Sequence, residues 1–319
     1  MKIYITDCDH ESIDIERKIC ADAGFELTLA SAKTEEELIE QCGDGDIFMI
    51  QYAKITEKVM QAIPTLKFVV RYGVGVDTID LEAADRYGVQ IGNVPDYGMN
   101  EVADHALALL LALKRKVVVM NEYTKNEKWD YTRSVPIRRF SEETVGVVGL
   151  GRIGRCFARK AHALGFRVIG YDPLFRQTEE TSYIEAASFE ELVRRSDAIS
   201  LHCPADGNKD LFTDDTFAAM KKSAVIINVA RGGIINEQAL SRALDKGLIA
   251  GAGIDCMENE PMPANAEIFR HNNLIVTPHM AWYSEEAAEE MKRKVAEEAV
   301  RFAKGEPIHY PVNHPEGRC

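Results

Sequence analysis

Basic residues are in short supply in this chain: 38 Lys and Arg stand against 51 Asp and Glu, a formal net charge of −13. An acidic surface repels phosphate backbones, so nucleic-acid binding would need a local basic stripe. The densest basic cluster, Lys114-Arg115-Lys116, lies inside an otherwise apolar segment, and no nucleic-acid partner is expected. Long apolar runs are also missing. The longest uninterrupted one, Ala106 to Leu113, falls far short of the roughly 20 residues that span a bilayer, so no membrane association is expected. Met1 to Asp14 carry acids early and lack an apolar core, unlike a signal peptide. Seven cysteines are scattered, odd in number and without a C-x-x-C. That usage suits a reducing compartment, so a cytoplasmic location is expected, with neither a disulfide framework nor a metal site. Cys8-x-His10 and His202-Cys203 are too sparse for metal ligation.

What is present is a strand–helix alternation. A length of 319 residues suggests two domains. Short β-rich runs (Ile3 to Thr6, Phe25 to Leu29, Ile47 to Ile50, Phe68 to Val70, Val145 to Val148, Val168-Ile169, Ala198 to Leu201, Ala224 to Ile227, Leu274 to Val276) alternate with charged, helix-favouring stretches. That pattern implies βαβ units and mostly parallel sheets. Gly24, Gly88, Gly165 and Gly247 each stand between a helical stretch and an apolar strand, where glycine accepts the left-handed conformation past a helix end. Two of these joints precede residue 100 and two follow it, consistent with two α/β units of similar design. Asn93-Val94-Pro95-Asp96-Tyr97-Gly98 marks a boundary before one long helix, about Asn100 to Glu122. Its nearly all-round apolar middle calls for burial on two faces.

Val145-Gly146-Val147-Val148 runs into Gly149-Leu150-Gly151-Arg152-Ile153-Gly154, and a helical pattern follows. A bare G-x-G-x-x-G is weak, but this one closes a strand and opens a helix. Asp172 then ends the next strand, 21 residues after Gly151. Together they form a dinucleotide fingerprint: tight turn, close backbone approach to a pyrophosphate, close helix packing and a carboxylate for the ribose hydroxyls. The Asp172 charge repels a 2′-phosphate, which favours NAD over NADP; nearby Arg176 softens that preference.

Three further segments place polar residues at the ends of apolar strands: Asn228-Val229-Ala230-Arg231-Gly232-Gly233, Asp255 through Glu260-Pro261, and Thr277-Pro278-His279. The carboxyl ends of parallel strands line the ligand crevice. Hydride transfer to a 2-oxo acid needs a proton donor titrating near neutrality, which His provides, and a planar bidentate donor for the substrate carboxylate, which Arg provides. A neighbouring acid orients the imidazole. Arg231, Glu260 and His279 are the candidates. His105 and His162 read as packed or solvated helix residues, and His10, His309 and His314 as surface residues.

Taken together with Arg71-Tyr72-Gly73-Val74-Gly75-Val76-Asp77 and Asn93-Val94-Pro95, these motifs resemble the D-isomer-specific 2-hydroxyacid dehydrogenase family over nearly the whole chain. The resemblance implies two Rossmann-like or flavodoxin-like parallel-sheet domains with an interdomain cleft. Residues 1–98 and 284–319 would bind substrate, and residues 99–283 would bind NAD. It further implies Arg231 as the substrate-carboxylate and carbonyl ligand, His279 as acid/base and Glu260 as its partner. Asp255 would hold the nicotinamide carboxamide. Gly149, Gly151, Gly154, Arg152, Ile153, Asp172, His202, Cys203, Val229 and Ala230 would line the cofactor, and the backbone N–H groups of Gly73 and Val74 would grip the carboxylate on closure. A homodimer through the domain holding the Asn100 to Glu122 helix is also implied.

Within that family, Arg71 and the run His279-Met280-Ala281-Trp282-Tyr283-Ser284-Glu285 are similar to the C-terminal-binding-protein branch of NADH-responsive co-repressors, where Arg71, Tyr72 and Trp282 would lie at the substrate. The expected activity is NAD-dependent reduction of a 2-oxo acid such as hydroxypyruvate or glyoxylate, or oxidation of 3-phosphoglycerate. The alternative is an NADH-sensing binding protein without turnover. Formate oxidation is disfavoured because that branch normally carries Gln where Glu260 stands.

Overall fold

Continuous apolar runs bounded by polar turns produce strands that are covered on both faces, the signature of parallel sheets. The structure, a computed structural model, describes residues 1–126 and 129–315. Met1–Gly98 with the chain from Ser284 onward form one compact unit, and Met99–Tyr283 form another.

In the first unit, strands β1 (Ile3–Ile5), β2 (Leu27–Leu29), β3 (Ile47–Ile50), β4 (Phe68–Arg71) and β5 (Gln90–Gly92) alternate with helices α1 (Asp14–Asp22), α2 (Glu35–Cys42), α3 (Glu57–Ala62) and α4 (Leu81–Tyr87). The sheet is parallel, in the order β2-β1-β3-β4-β5. Strand order reverses between β1 and β3, where open α/β sheets bind ligands. The buried Asp7 carboxylate bonds those two strand ends together, accepting from the N–H groups of Gln51 (3.2 Å) and Tyr52 (2.6 Å). The C-terminal helix Glu285–Ala303 packs on α1. Ser284 caps it by accepting the Ala287 N–H at 2.9 Å, and Phe302 stacks on Phe68 with ring centres 4.6 Å apart. His10, read as a surface residue, instead packs edge-on against Tyr72, with a side chain only 6% exposed.

The second unit holds β6 (Thr144–Val148), β7 (Arg167–Tyr171), β8 (Ile184–Ala186), β9 (Ala198–Leu201), β10 (Val225–Asn228), β11 (Gly251–Ile254) and β12 (Leu274–Val276), in the parallel order β12-β11-β10-β9-β6-β7-β8. Helices α5 (Met99–Lys114), α6 (Val117–Asn126), α7 (Arg152–Ala163), α8 (Phe189–Arg195), α9 (Asp214–Ala219) and α10 (Glu237–Asp245) complete it. The single helix expected over Asn100 to Glu122 is two helices. Lys116 takes a left-handed φ of 56° between them, ending α5 beyond its apolar middle. Helix α5 lies on β11 because that strand offers glycines: a Cβ on Gly253 would sit 3.1 Å from Leu109 Cβ. The four glycine joints are all left-handed, with φ of 83°, 67°, 95° and 59° at Gly24, Gly88, Gly165 and Gly247. Among the described residues no helix is long and apolar enough to cross a membrane.

Candidate active site

The turn from β6 to α7 gives each fingerprint glycine a separate task. Gly149, at φ 87°, packs so closely on the end of β9 that a Cβ would lie 2.7 Å from the Cys203 backbone nitrogen. A Cβ on Gly154 would overlap the Gly149 carbonyl. Gly151, the N-cap of α7, faces open space and has no side chain to cap the helix. The first N–H groups of α7, from Arg152 and Ile153, therefore stand at the positive end of the helix beside a cleared surface, which fits a pyrophosphate. Asp172 follows β7 and arches back over this turn. Its Oδ2 accepts the Leu150 N–H at 2.8 Å and its Oδ1 the Leu174 N–H at 2.8 Å. The residues present thus fit the diphosphate and ribose of a dinucleotide. Arg176 spends its guanidinium on the carbonyls of Pro173 and Phe175. His202 bonds Ser200 at 2.9 Å and packs on Phe157. Burial pushes its imidazole down to about 3, so it stays neutral in ordinary buffers. Its Nδ1 is buried without a hydrogen-bond partner, beside the buried Cys203.

Three strand ends assemble the second cluster. After β10, Asn228 clamps a turn: its Nδ2 donates to the Arg231 carbonyl (2.8 Å) and its Oδ1 accepts the Ala230 N–H (3.0 Å). This turn contains the buried Val229 and presents the half-buried Arg231, whose Nη1 donates to the Ala230 carbonyl at 2.8 Å. After β12, His279 Nδ1 meets Glu260 Oε2 at 2.6 Å, and the two side chains are 41% and 36% exposed. Because a carboxylate only accepts, Nδ1 carries the proton of this bond, which leaves Nε2 as the ring nitrogen for a substrate. Burial acts to raise the Glu260 carboxyl, but the His279 hydrogen bond and charge, the Met257 N–H and the Arg231 charge outweigh it and hold the group below its ordinary range. The structure therefore brings the expected Arg, Glu and His into one electrostatic neighbourhood. Cys256, which the sequence reading passed over, completes it. Burial and then the Asp255 and Glu260 carboxylates push its thiol well up, so it is a neutral S–H donating to the Ala230 carbonyl at 3.6 Å. Donor atoms of Cys256, Glu260 and His279 lie within 4.8 Å of one another.

Asp255, expected at the nicotinamide carboxamide, carries a set of internal bonds of its own. Its side chain has no exposed surface. Oδ1 accepts the Met280 N–H (3.0 Å) and the Thr277 hydroxyl (2.6 Å), and Oδ2 accepts the Ala281 N–H (3.0 Å). These bonds hold the turn in which His279 takes a left-handed φ of 52°, a conformation costing a non-glycine residue about 1–3 kcal/mol. Trp282, half-buried, sits edge-on to Tyr283.

In the first unit, the loop after β4 carries the remaining expected residues. The Arg71 guanidinium lies directly over Gly73, whose φ is 119°; a Cβ there would overlap Nη1. The Gly73 and Val74 carbonyls accept from the Val94 N–H (3.0 Å) and the Asn93 side chain (2.6 Å), which fixes the loop. Tyr72 faces the opposite way. Its ring is buried and its hydroxyl donates to the buried Glu16 at 3.0 Å, so only its backbone is available to a substrate.

Comparison with known proteins agrees with this geometry. Residues 107–281 match the family described as D-isomer specific 2-hydroxyacid dehydrogenase, NAD binding domain. The chain is 37% identical over 319 residues to D-3-phosphoglycerate dehydrogenase of Methanocaldococcus jannaschii, covering 99% of this chain but 60% of that protein. The chain thus spans about three fifths of that relative's length. It is 34% identical over 292 residues to glyoxylate reductase of Korarchaeum cryptofilum, covering 88% of each. Among solved structures, an acyclic imino acid reductase in complex with NADPH and D-Arg superposes with a TM-score of 0.88 at 29% identity, covering 98% of this chain and 100% of that one. The chain belongs to the D-isomer-specific 2-hydroxyacid dehydrogenase family.

Proposed function

We propose that this chain is an NAD-dependent D-2-hydroxyacid dehydrogenase, interconverting a small 2-oxo acid and its (R)-2-hydroxy acid. The observation that carries the reading is the 2.6 Å His279–Glu260 pair within reach of the Arg231 charge. When bound, NAD(H) supplies or accepts the hydride at substrate C2. His279 Nε2 gives a proton to the carbonyl oxygen or takes one from the hydroxyl, while Glu260 fixes the ring through Nδ1. The Arg231 fork holds the substrate carboxylate. In the second unit, Gly149, Gly151, Gly154, Arg152, Ile153, Asp172, His202, Cys203, Val229 and Ala230 line the cofactor. In the first unit, Gly73 and Val74 offer backbone N–H groups to an anion, with the Arg71 guanidinium over Gly73.

Two of the similar proteins are a phosphoglycerate dehydrogenase and a glyoxylate reductase, so hydroxypyruvate, glyoxylate and 3-phosphoglycerate lead the substrate candidates. A homodimer in the cytoplasm completes the reading. Helix α6 buries none of its residues and exposes Val117, Val118 and Val119 by 57%, 45% and 44%, with Trp129 (95%), Tyr131 (78%) and Val135 (62%) beyond it. An apolar strip of this extent supports contact with a second copy. The test is a panel of 2-oxo acids read by NADH absorbance and repeated with NADPH. The expected result is turnover of at least one candidate with preference for NADH; no oxidation of NADH with any of them overturns the proposal.

A further inference from the structure

Behind the His279 turn lies a histidine that the reaction itself does not use. His105 sits on α5 with its side chain 19% exposed, and its Nε2 is 2.9 Å from the Thr277 hydroxyl oxygen. Thr277 has a single hydroxyl proton, and its oxygen is 2.6 Å from Asp255 Oδ1. Asp255 Oδ1 also accepts from the Met280 N–H, and Oδ2 from the Ala281 N–H. The threonine proton therefore goes to the carboxylate, and the Thr277 oxygen accepts from His105. That direction fixes the His105 tautomer as Nε2–H. The same nitrogen lies 3.6 Å from Asp255 Oδ1. The result is a chain running from α5 through β12 to the end of β11: His105 to Thr277 to Asp255, then to the two N–H groups immediately after His279.

His279 needs such support. Its N–H donates to the Asp255 carbonyl at 2.9 Å and its backbone is left-handed, so the angle at which its ring leaves the chain is set by how firmly Asp255 grips residues 280 and 281. A carboxylate accepting from a threonine that itself accepts from an imidazole is held in one rotamer, and polarisation along the chain strengthens each bond.

We propose that His105 is a positioning residue: through Thr277 and Asp255 it sets the orientation of the His279 ring. The inference rests on the acid/base reading of His279 given above, and its test separates the two.

The measurement compares wild type with His105→Phe, which keeps the volume but removes the donor, and His105→Gln, whose side-chain amide nitrogen can reach the same hydroxyl. Ring signals of His279, identified by their loss in His279→Ala, are followed in carbon-13 histidine-labelled protein. Steady-state turnover and NADH affinity are measured alongside. The expected outcome is a displaced His279 ring signal in His105→Phe, a kcat lower by about 10- to 100-fold with KM and NADH affinity within about threefold, and both properties restored in His105→Gln. Thr277→Val against Thr277→Ser supplies the same contrast should the phenylalanine variant not fold. An unmoved ring signal, or an unchanged kcat in an active enzyme, overturns the inference. The ring signal reports on positioning even if no 2-oxo acid is turned over, in which case the functional reading fails alone.

Discussion

Asp172 combines a structural bond with a charge that acts on the cofactor, and one substitution separates the two. Asp172→Asn keeps one oxygen for the Leu150 N–H, bonded at 2.8 Å, leaves the N–H of the exposed Leu174 to water, and removes the negative charge that disfavours a 2′-phosphate. It should raise kcat/KM for NADPH by an order of magnitude, roughly 1.4 kcal/mol of relieved repulsion, with little loss of thermal stability; an unchanged NADPH/NADH ratio contradicts the assignment. His202 offers a test in pH. Its folded-state value of about 3 lies below the ordinary 6.5, so the unfolded chain binds the extra proton between those limits. Stability therefore falls as pH drops below about 6.5, by at most about 1.4 kcal/mol per pH unit from this group. Urea unfolding from pH 7 to pH 5 should show a shallower decline in His202→Gln, and an identical decline would place the acid sensitivity elsewhere. At this scale the sequence was most readable where a motif names the atom: His279 bonds Glu260, and the Arg231 charge acts on that carboxylate. It was least readable in the link from His105 through Thr277 to Asp255, because a hydrogen-bonded chain joining residues 172 positions apart leaves no local pattern.

The βα turn holding Gly149, Gly151 and Gly154 is the element proposed to receive the cofactor diphosphate. Gly154→Ala would drive a methyl group into the Gly149 carbonyl, forcing α7 away from β6. Overpacking of this kind costs about 1–3 kcal/mol. The expected outcome is a lower melting temperature together with weaker NADH binding by fluorescence titration. If both stay at wild-type values, the three glycines do not form the tight turn described. Most strands and their order of appearance were legible because parallel strands buried on both faces are uninterrupted apolar runs. The exceptions have physical causes. Strand β8, Ile184-Glu185-Ala186, is interrupted by an acid and carries no apolar run, and β5, Gln90-Ile91-Gly92, showed only through the Gly88 joint before it. The break between α5 and α6 falls at Arg115-Lys116, where apolar residues resume at Val117 and mask the interruption.

For the molecule as a whole, the exposed strip of α6 with Trp129, Tyr131 and Val135 predicts self-association. Sedimentation should give a dimer at micromolar concentration, and Val118→Lys with Trp129→Ser should shift it toward monomer. A wild-type monomer with full activity would contradict that part of the account. The family was legible in the sequence because its motifs are spread along the chain in a fixed order; the substrate was not, because at a substrate site Arg71 would favour a further anionic group and Trp282 an apolar one. The central claim is that His279, aligned by Glu260 at 2.6 Å, moves the proton while hydride is exchanged at C2. It is tested most directly by His279→Ala assayed with the best 2-oxo acid of the panel. The account predicts NADH affinity equal to wild type and kcat lower by about 10²- to 10⁴-fold; a turnover number equal to wild type would contradict it.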